Sequence, residues 1–207
     1  SPWEMTYAKA QSTSSPKSSE KQSMSNFLSK AEIEEIGFES YGENLLISRD
    51  AKFYNPSRIS LEAEIRIDDF CILSAGRGGI QIASYVHIAC YTSLIGMAPI
   101  RIGKFSNLSS RVSIYSSTDD YSGSTMTNPM VPEELKNVKS AQVVIGEHVI
   151  IGCNATVLPG VSVHKGVAIG AYSLIKSDCE EFKLYAGIPA TAIKERKKDL
   201  ISLSCEL

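Results

Sequence analysis

No stretch of this sequence approaches the run of about 18 apolar residues that a membrane-spanning helix requires, which argues against a helical membrane span. The first residues lack an apolar segment with a cleavage site, so no secretory signal is read there. Neither sign of charge is in excess: 21 Lys and Arg face 23 Asp and Glu, a formal net charge of -2. That leaves no basic field to hold nucleic acid. Histidine is scarce, with 3 residues, and tryptophan nearly absent, with 1. The cysteines are Cys71, Cys90, Cys153, Cys179 and Cys205, an odd number without a CxxC spacing. This argues against a disulfide framework and a zinc site, and for reduced thiols in a cytoplasmic protein that requires no metal.

What is present suits one globular domain with short terminal additions. Apolar residues make up 43% of the 207 residues and charged ones 21%. Residues 1–25 hold eight serines and little to bury, and are read as a disordered tail or an expression remnant. Met24 is then a candidate natural start. Ser29, Glu32 and Gly37 have the spacing of a cap, a capping-box partner and a terminator, so a short helix is expected between them.

Beyond this helix a period of six takes over. Ile145, Ile151, Val157, Val163, Ile169 and Ile175 are six apart, and four residues after the first five stand Val149, Ala155, Val161, Val167 and Ser173. The register continues upstream through Leu61, Ile67 and Leu73, through Ile82, Ile88 and Leu94, and through Ile102, Leu108 and Ile114. Small insertions separate these sets at Ser74–Gly79 and near Met97–Pro99, and Ile47 and Phe53 suggest a partial first coil. A β-sandwich would alternate, with turns every 8–12 residues or so. Six residues instead make one flat strand and a corner, and three such sides make a triangular coil of about 18 residues. The six-spaced residues point inward, and the positions four further on sit at corners where only small or branched side chains fit. An all-β fold follows.

The segment Ile145-Gly-Glu-His-Val-Ile-Ile-Gly-Cys-Asn-Ala-Thr-Val-Leu-Pro-Gly160 resembles the hexapeptide-repeat acyltransferase superfamily. So does Tyr185-Ala-Gly-Ile-Pro-Ala-Thr-Ala-Ile-Lys194. The resemblance spans roughly residues 44–200. It implies a left-handed parallel β-helix, a homotrimer, and acetyl-CoA or another acyl-CoA as co-substrate bound between subunits. Within the superfamily the layout resembles galactoside and maltose O-acetyltransferases. Residues 66–74 and 112–123 resemble more closely the enzymes of bacterial surface-polysaccharide pathways that acylate dTDP-4-amino-4,6-dideoxyglucose. The expected activity is therefore N-acylation of a nucleotide-linked amino sugar for O-antigen or capsule (lipopolysaccharide) biosynthesis. O-acetylation of a sugar or polysaccharide, or a non-catalytic β-helix scaffold, are the alternatives. The domain reading is a β-helix unit over 26–190, interrupted by a loop at 116–143, and a C-terminal amphipathic helix over 191–207 that covers an open end.

The resemblance also places the chemistry. The loop carries Asp119, Asp120 and Tyr121. The O-acetyltransferases have a histidine where Asp119 falls, and a hydroxyl acceptor needs such a base. An amine acceptor needs less help, so the missing histidine favours N-acylation. Asp119 or Asp120 then holds the amine or takes its proton late, or positioning alone supplies the rate. His148 or His87 replacing the base is the alternative, against a role as surface residues. Cys153 and Ala171, 18 residues apart, match positions that hold the pantetheine arm. Gly187, Pro189 and Ala190 match the loop that packs on adenine. Lys176, Lys194 and Arg196 are candidates for the coenzyme phosphates, or else a solubilising cluster. Tyr91 aligns with a sugar-contacting position, or packs on the coil, and Arg77 is a candidate for a nucleotide diphosphate.

Overall fold

The computed structural model describes residues 26–207; the serine-rich segment 1–25 lies outside the described residues. The chain winds into about seven coils with three flat faces. The first face stacks Ser40–Tyr41, Ile59–Leu61, Ile80–Ile82, Ile100–Ile102, Val143–Ile145 and Ser162–Val163 in parallel. The second stacks Leu45–Ile47, Ile65–Ile67, Val86–Ile88, Asn107–Leu108, Ile150–Ile151, Ala168–Ile169 and Lys183–Gly187. The third stacks Lys52–Tyr54, Ile72–Ala75, Ser93–Gly96, Ser113–Tyr115, Thr156–Val157 and Leu174–Ile175.

The six-residue period is the cause of this shape. Every six-spaced residue from Leu61 to Ile175 is at most 3% exposed, and where no insertion follows, the residues four further on (Ile65, Cys71, Val86, Thr92, Ser106, Val112, Val149, Ala155, Val161, Val167 and Ser173) are at most 2% exposed. On the second face Ile47, Ile67, Ile88, Leu108, Ile151 and Ile169 pair in register coil after coil, and the row closes on Tyr185. Each buried aliphatic side chain contributes about 1.5–3 kcal/mol relative to exposure. The backbone turns most corners through a left-handed residue. Between the first and second faces these are Asn44, Glu64, Tyr85, Phe105, His148 and Gly166. Between the second and third they are Phe70, Tyr91, Arg111, Asn154 and Tyr172.

The N-terminal end is closed as the capping signals predict. A helix spans Lys30–Ile36, with both bonds of the capping box between Ser29 and Glu32 and a left-handed Gly37 as C-cap. Arg49 and Ser29 hydrogen-bond the Glu32 carboxylate and hold its pKa at about 2. Ile33 is buried, and Phe38 meets Phe53 edge-on at 5.0 Å.

The C-terminal end corrects the expectation of a helix over 191–207. Ala190–Glu195 is a strand, antiparallel to Lys183–Gly187, and the helix covers only Leu200–Leu203. Lys183–Gly187 would otherwise be an open sheet edge, and the hairpin through Ile188 and Pro189 satisfies its N–H and C=O groups. That pairing outweighs the helical pattern of Ala192–Lys198, and the pattern survives only where Leu200, Ile201 and Leu203 lie beyond the sheet.

Candidate functional site

The corner between the second and third faces carries a column of large side chains. The Phe70 and Tyr91 rings stack at 5.0 Å, and the Arg111 guanidinium lies 5.1 Å from the Tyr91 centroid. Tyr91 is about half exposed, so it neither sinks into the coil nor stands free. Further along the same corner follow Cys153 and Ala171, one coil apart, with Tyr172 N–H donating to Cys153 O at 2.9 Å. The backbones approach closely here: a Cβ on Gly152 would stand 2.5 Å from Ala171 N. Cys153 and Ala171 offer small side chains, leaving backbone groups for an extended ligand.

The corner between the third and first faces collects every insertion. Gly76 N–H donates to Gly96 O at 2.9 Å and Gly78 N–H to Met97 O at 2.8 Å. Ser116 Oγ donates to Ala98 O at 2.6 Å. Gly78 has no room for a side chain, since a Cβ would lie 2.2 Å from Pro99 N. Arg77 is thus presented between two glycines, directly along the corner from the root of the long loop. That root is a two-stranded ribbon, Ser117–Thr118 against Lys139–Ser140. Asp120 and Asp119 differ here. Asp120 is nearly buried: its carboxylate accepts from Ser122 N–H at 2.9 Å and Thr125 Oγ at 3.0 Å. These bonds, first from the Ser122 backbone, hold its pKa below the ordinary carboxylate value. Asp120 therefore shapes the loop. Asp119 is exposed, and its carboxylate has no hydrogen-bond partner among the described residues. Tyr121 is 93% exposed and, with Met126 and Met130, projects from the loop.

The remaining sequence-based candidates gather at the C-terminal end. Gly187, Pro189 and Ala190 form the hairpin beyond the last second-face strand, and Gly187 N–H donates to Ser173 Oγ at 3.2 Å. Lys176 and Lys194 are exposed and form no ion pair among the described residues. This set of small corner residues, a hairpin and free ammonium groups fits an acyl-CoA as substrate. Arg196 is placed differently. Its Nη1 donates to His148 O and Gly166 O at 2.9 Å and to Val167 O at 3.3 Å, so this nitrogen is spent on the coil.

Neither histidine weighed as a base is free. His87 lies on the outer second face, with Nε2 2.8 Å from Asp68 Oδ2 and Nδ1 2.9 Å from Asn107 Oδ1. Burial opposes ionisation of Asp68, but hydrogen bonds from His87 and Arg66 outweigh it and lower its pKa. His148 is buried, stacked on Phe105 at 4.8 Å, with Nε2 3.3 Å from Ser204 Oγ. Sequence reasoning missed Arg111 and Phe70. Their signal was present: they stand 20 and 21 residues either side of Tyr91, one coil each with its insertion.

Similarity to known proteins agrees with this geometry. The bacterial transferase hexapeptide family (six repeats) matches residues 142–177. The dTDP-4-amino-4,6-dideoxy-D-glucose acyltransferase of Escherichia coli is 52% identical over 86% of this chain and 92% of its own. The N-acyltransferase AntD of Bacillus cereus, solved with dTDP and 3-hydroxybutyryl-CoA, superposes with a TM-score of 0.84 at 43% identity, covering 88% of this chain and 96% of that one. A maltose O-acetyltransferase from Clostridium difficile 630 shares the fold alone, with a TM-score of 0.54 at 18% identity over 81% of this chain and 75% of its own. The winding is the left-handed sense of these enzymes. This chain belongs to the hexapeptide-repeat acyltransferases.

Proposed function

We propose that the protein transfers an acyl group from acyl-CoA to the amine of a nucleotide-linked amino sugar. The carrying observation is the free carboxylate of Asp119 at the loop root, where a hydroxyl-acylating enzyme needs a histidine, together with two histidines already engaged elsewhere. The similar enzymes support the substrate class: AntD has been solved with dTDP-4-amino-4,6-dideoxyglucose and coenzyme A. AntD variants at a serine and at an aspartate ten positions later have also been solved. In this chain Asp119 stands ten positions after Ser109, Asp120 ten after Ser110 and Asp50 ten after Ser40, the first two at the root of the long loop. Asp120 is held by its own loop, which leaves Asp119.

In the reaction the neutral amine attacks the thioester carbonyl. The C–N bond forms, the C–S bond breaks, and coenzyme A leaves as thiolate. The nitrogen then sheds a proton, which Asp119 receives after orienting the amine. The second corner carries Tyr91, Cys153 and Ala171, whereas the insertion corner carries Arg77, Asp119 and Tyr121. These are different edges of one prism. A single site uses both when the second corner of one copy faces the insertion corner of the next, so the working unit is a homotrimer. A role in lipopolysaccharide O-antigen or capsule synthesis, in the cytoplasm where activated sugars are made, completes the reading.

Thiol release from acetyl-CoA with a panel of dTDP- and UDP-linked amino sugars tests it. Release with at least one amine, giving a product stable to hydroxylamine as an amide is, is expected. No release with any amine, or a hydroxylamine-labile ester, overturns it. Asp119→Ala is expected to lower kcat by about tenfold or more.

A further inference from the structure

Arg111 is absorbed by none of these roles. It occupies a left-handed corner position, φ 61°, where an arginine costs about 1 kcal/mol or more against glycine or asparagine. Its backbone N–H donates to Cys90 O at 3.0 Å, which fixes it one coil below Tyr91. Its side chain is exposed and forms no ion pair among the described residues. By contrast Arg49 pairs with Glu32, Arg66 with Asp68, and Arg196 is bound to carbonyls. Among the described residues, Arg58, Arg77 and Arg101 form no ion pair and have no ring beneath them. Among the described residues only Arg111 combines an unspent guanidinium with a stacked platform, the Tyr91 ring, itself backed by Phe70. A cation held on an aromatic face loses less freedom when it binds an anion, and a guanidinium suits phosphate oxygens.

Position decides which anion. Asn154 N–H donates to Ser110 O at 3.1 Å, so the coil of Cys153 lies directly below that of Arg111, and the coil of Ala171 below that. With the pantetheine arm along Cys153 and Ala171 and the coenzyme phosphates near Lys176 and Lys194, Arg111 lies on the far side of the thioester. The anionic part of a nucleotide-linked acceptor is its diphosphate. We infer that Arg111, braced by Tyr91 and Phe70, binds the diphosphate of the acceptor nucleotide and so selects a nucleoside diphosphate sugar over a free or glycan-linked amine. This rests on the reading of the second corner as the coenzyme track.

Calorimetry on the full chain tests it, with dTDP and coenzyme A titrated separately. Arg111→Met is expected to weaken dTDP about tenfold to a hundredfold, the scale of hydrogen bonds to a charged group, while the coenzyme A affinity stays within about twofold. Arg111→Lys keeps the charge without the fork and is expected to fall between the two; it decides the matter if the methionine variant does not fold. Unchanged dTDP affinity, coenzyme A weakened as much as dTDP, or a wild-type chain that binds no dTDP overturns the inference. The thiol assay separates the two claims. Acylation by wild type with dTDP binding indifferent to Arg111 sinks only this inference. Arg111-dependent dTDP binding without acylation of any amino sugar sinks only the proposed reaction.

Discussion

At Gly166 a hydrogen stands where the coils above carry Tyr85, Phe105 and His148 on the same corner. The vacancy is used: the Phe182 ring reaches into it, and a Cβ on Gly166 would lie 2.4 Å from Phe182 Cε1. The residue also has φ 69°, which favours glycine. Gly166→Ala is expected to cost about 1–2 kcal/mol, read as a lower urea midpoint, with unchanged stability as the contrary result. His148 and two thiols set a pH window. Burial, then Lys165, holds the imidazole below its ordinary 6.5; Glu147 opposes and Arg196 adds to the shift. The folded chain then binds fewer protons than the unfolded one below 6.5. Stability is therefore full above that pH and falls as pH drops through it. Burial pushes the Cys71 and Cys179 thiols up to about 11 from 9.0. Unfolded thiols ionise first, so stability declines as pH rises from 9.0 toward 11. Urea midpoints across both ranges are expected to show a plateau between the two limits. His148→Asn, whose side chain suits φ 57°, should flatten the acid slope; an unaltered slope would assign it to other groups.

At the scale of elements, the C-terminal strand and the segment after it form a strap. Beyond Glu195, Arg196 ties the strap to His148 O, Gly166 O and Val167 O; Lys198 sits 4.8 Å over the Phe182 ring; Ser204 meets His148. Arg196→Met is expected to lower stability by about 1–2 kcal/mol by orphaning His148 O and Gly166 O (Val167 O keeps its bond from Ile150 N–H), while coenzyme A binding stays within about twofold. Thermal unfolding and calorimetry together check this. Intact stability with lost coenzyme affinity would restore the phosphate role. The hexads were legible because each inward residue is set by local spacing alone: Ile145, Ile151 and Val157 say the same thing whatever surrounds them. The capping box of Ser29 and Glu32 was legible for the same reason. The strand at Ala190–Glu195 was not, because its helical pattern is overridden by an edge supplied by residues three to twelve positions earlier. Nor was the division of Asp119 from Asp120, which depends on where Ser122 and Thr125 return.

At the scale of the whole molecule, stability is spread over neighbouring coils, and the proposed reaction draws on residues of two edges. Light scattering is expected to report three copies of the 22.5 kDa chain, and a monomer with full activity would refute the two-edge site. The sequence by itself determined the three-sided coil, its inward rows and its N-terminal cap, because period, propensity and capping act over a few residues. Only the tertiary structure decided that Phe70 and Arg111 lay their side chains on the Tyr91 ring. It also decided that Arg196 faces the coil. These meetings join residues about 20 to 50 apart, and their alignment depends on the summed length of every side and insertion between them, which no local pattern records.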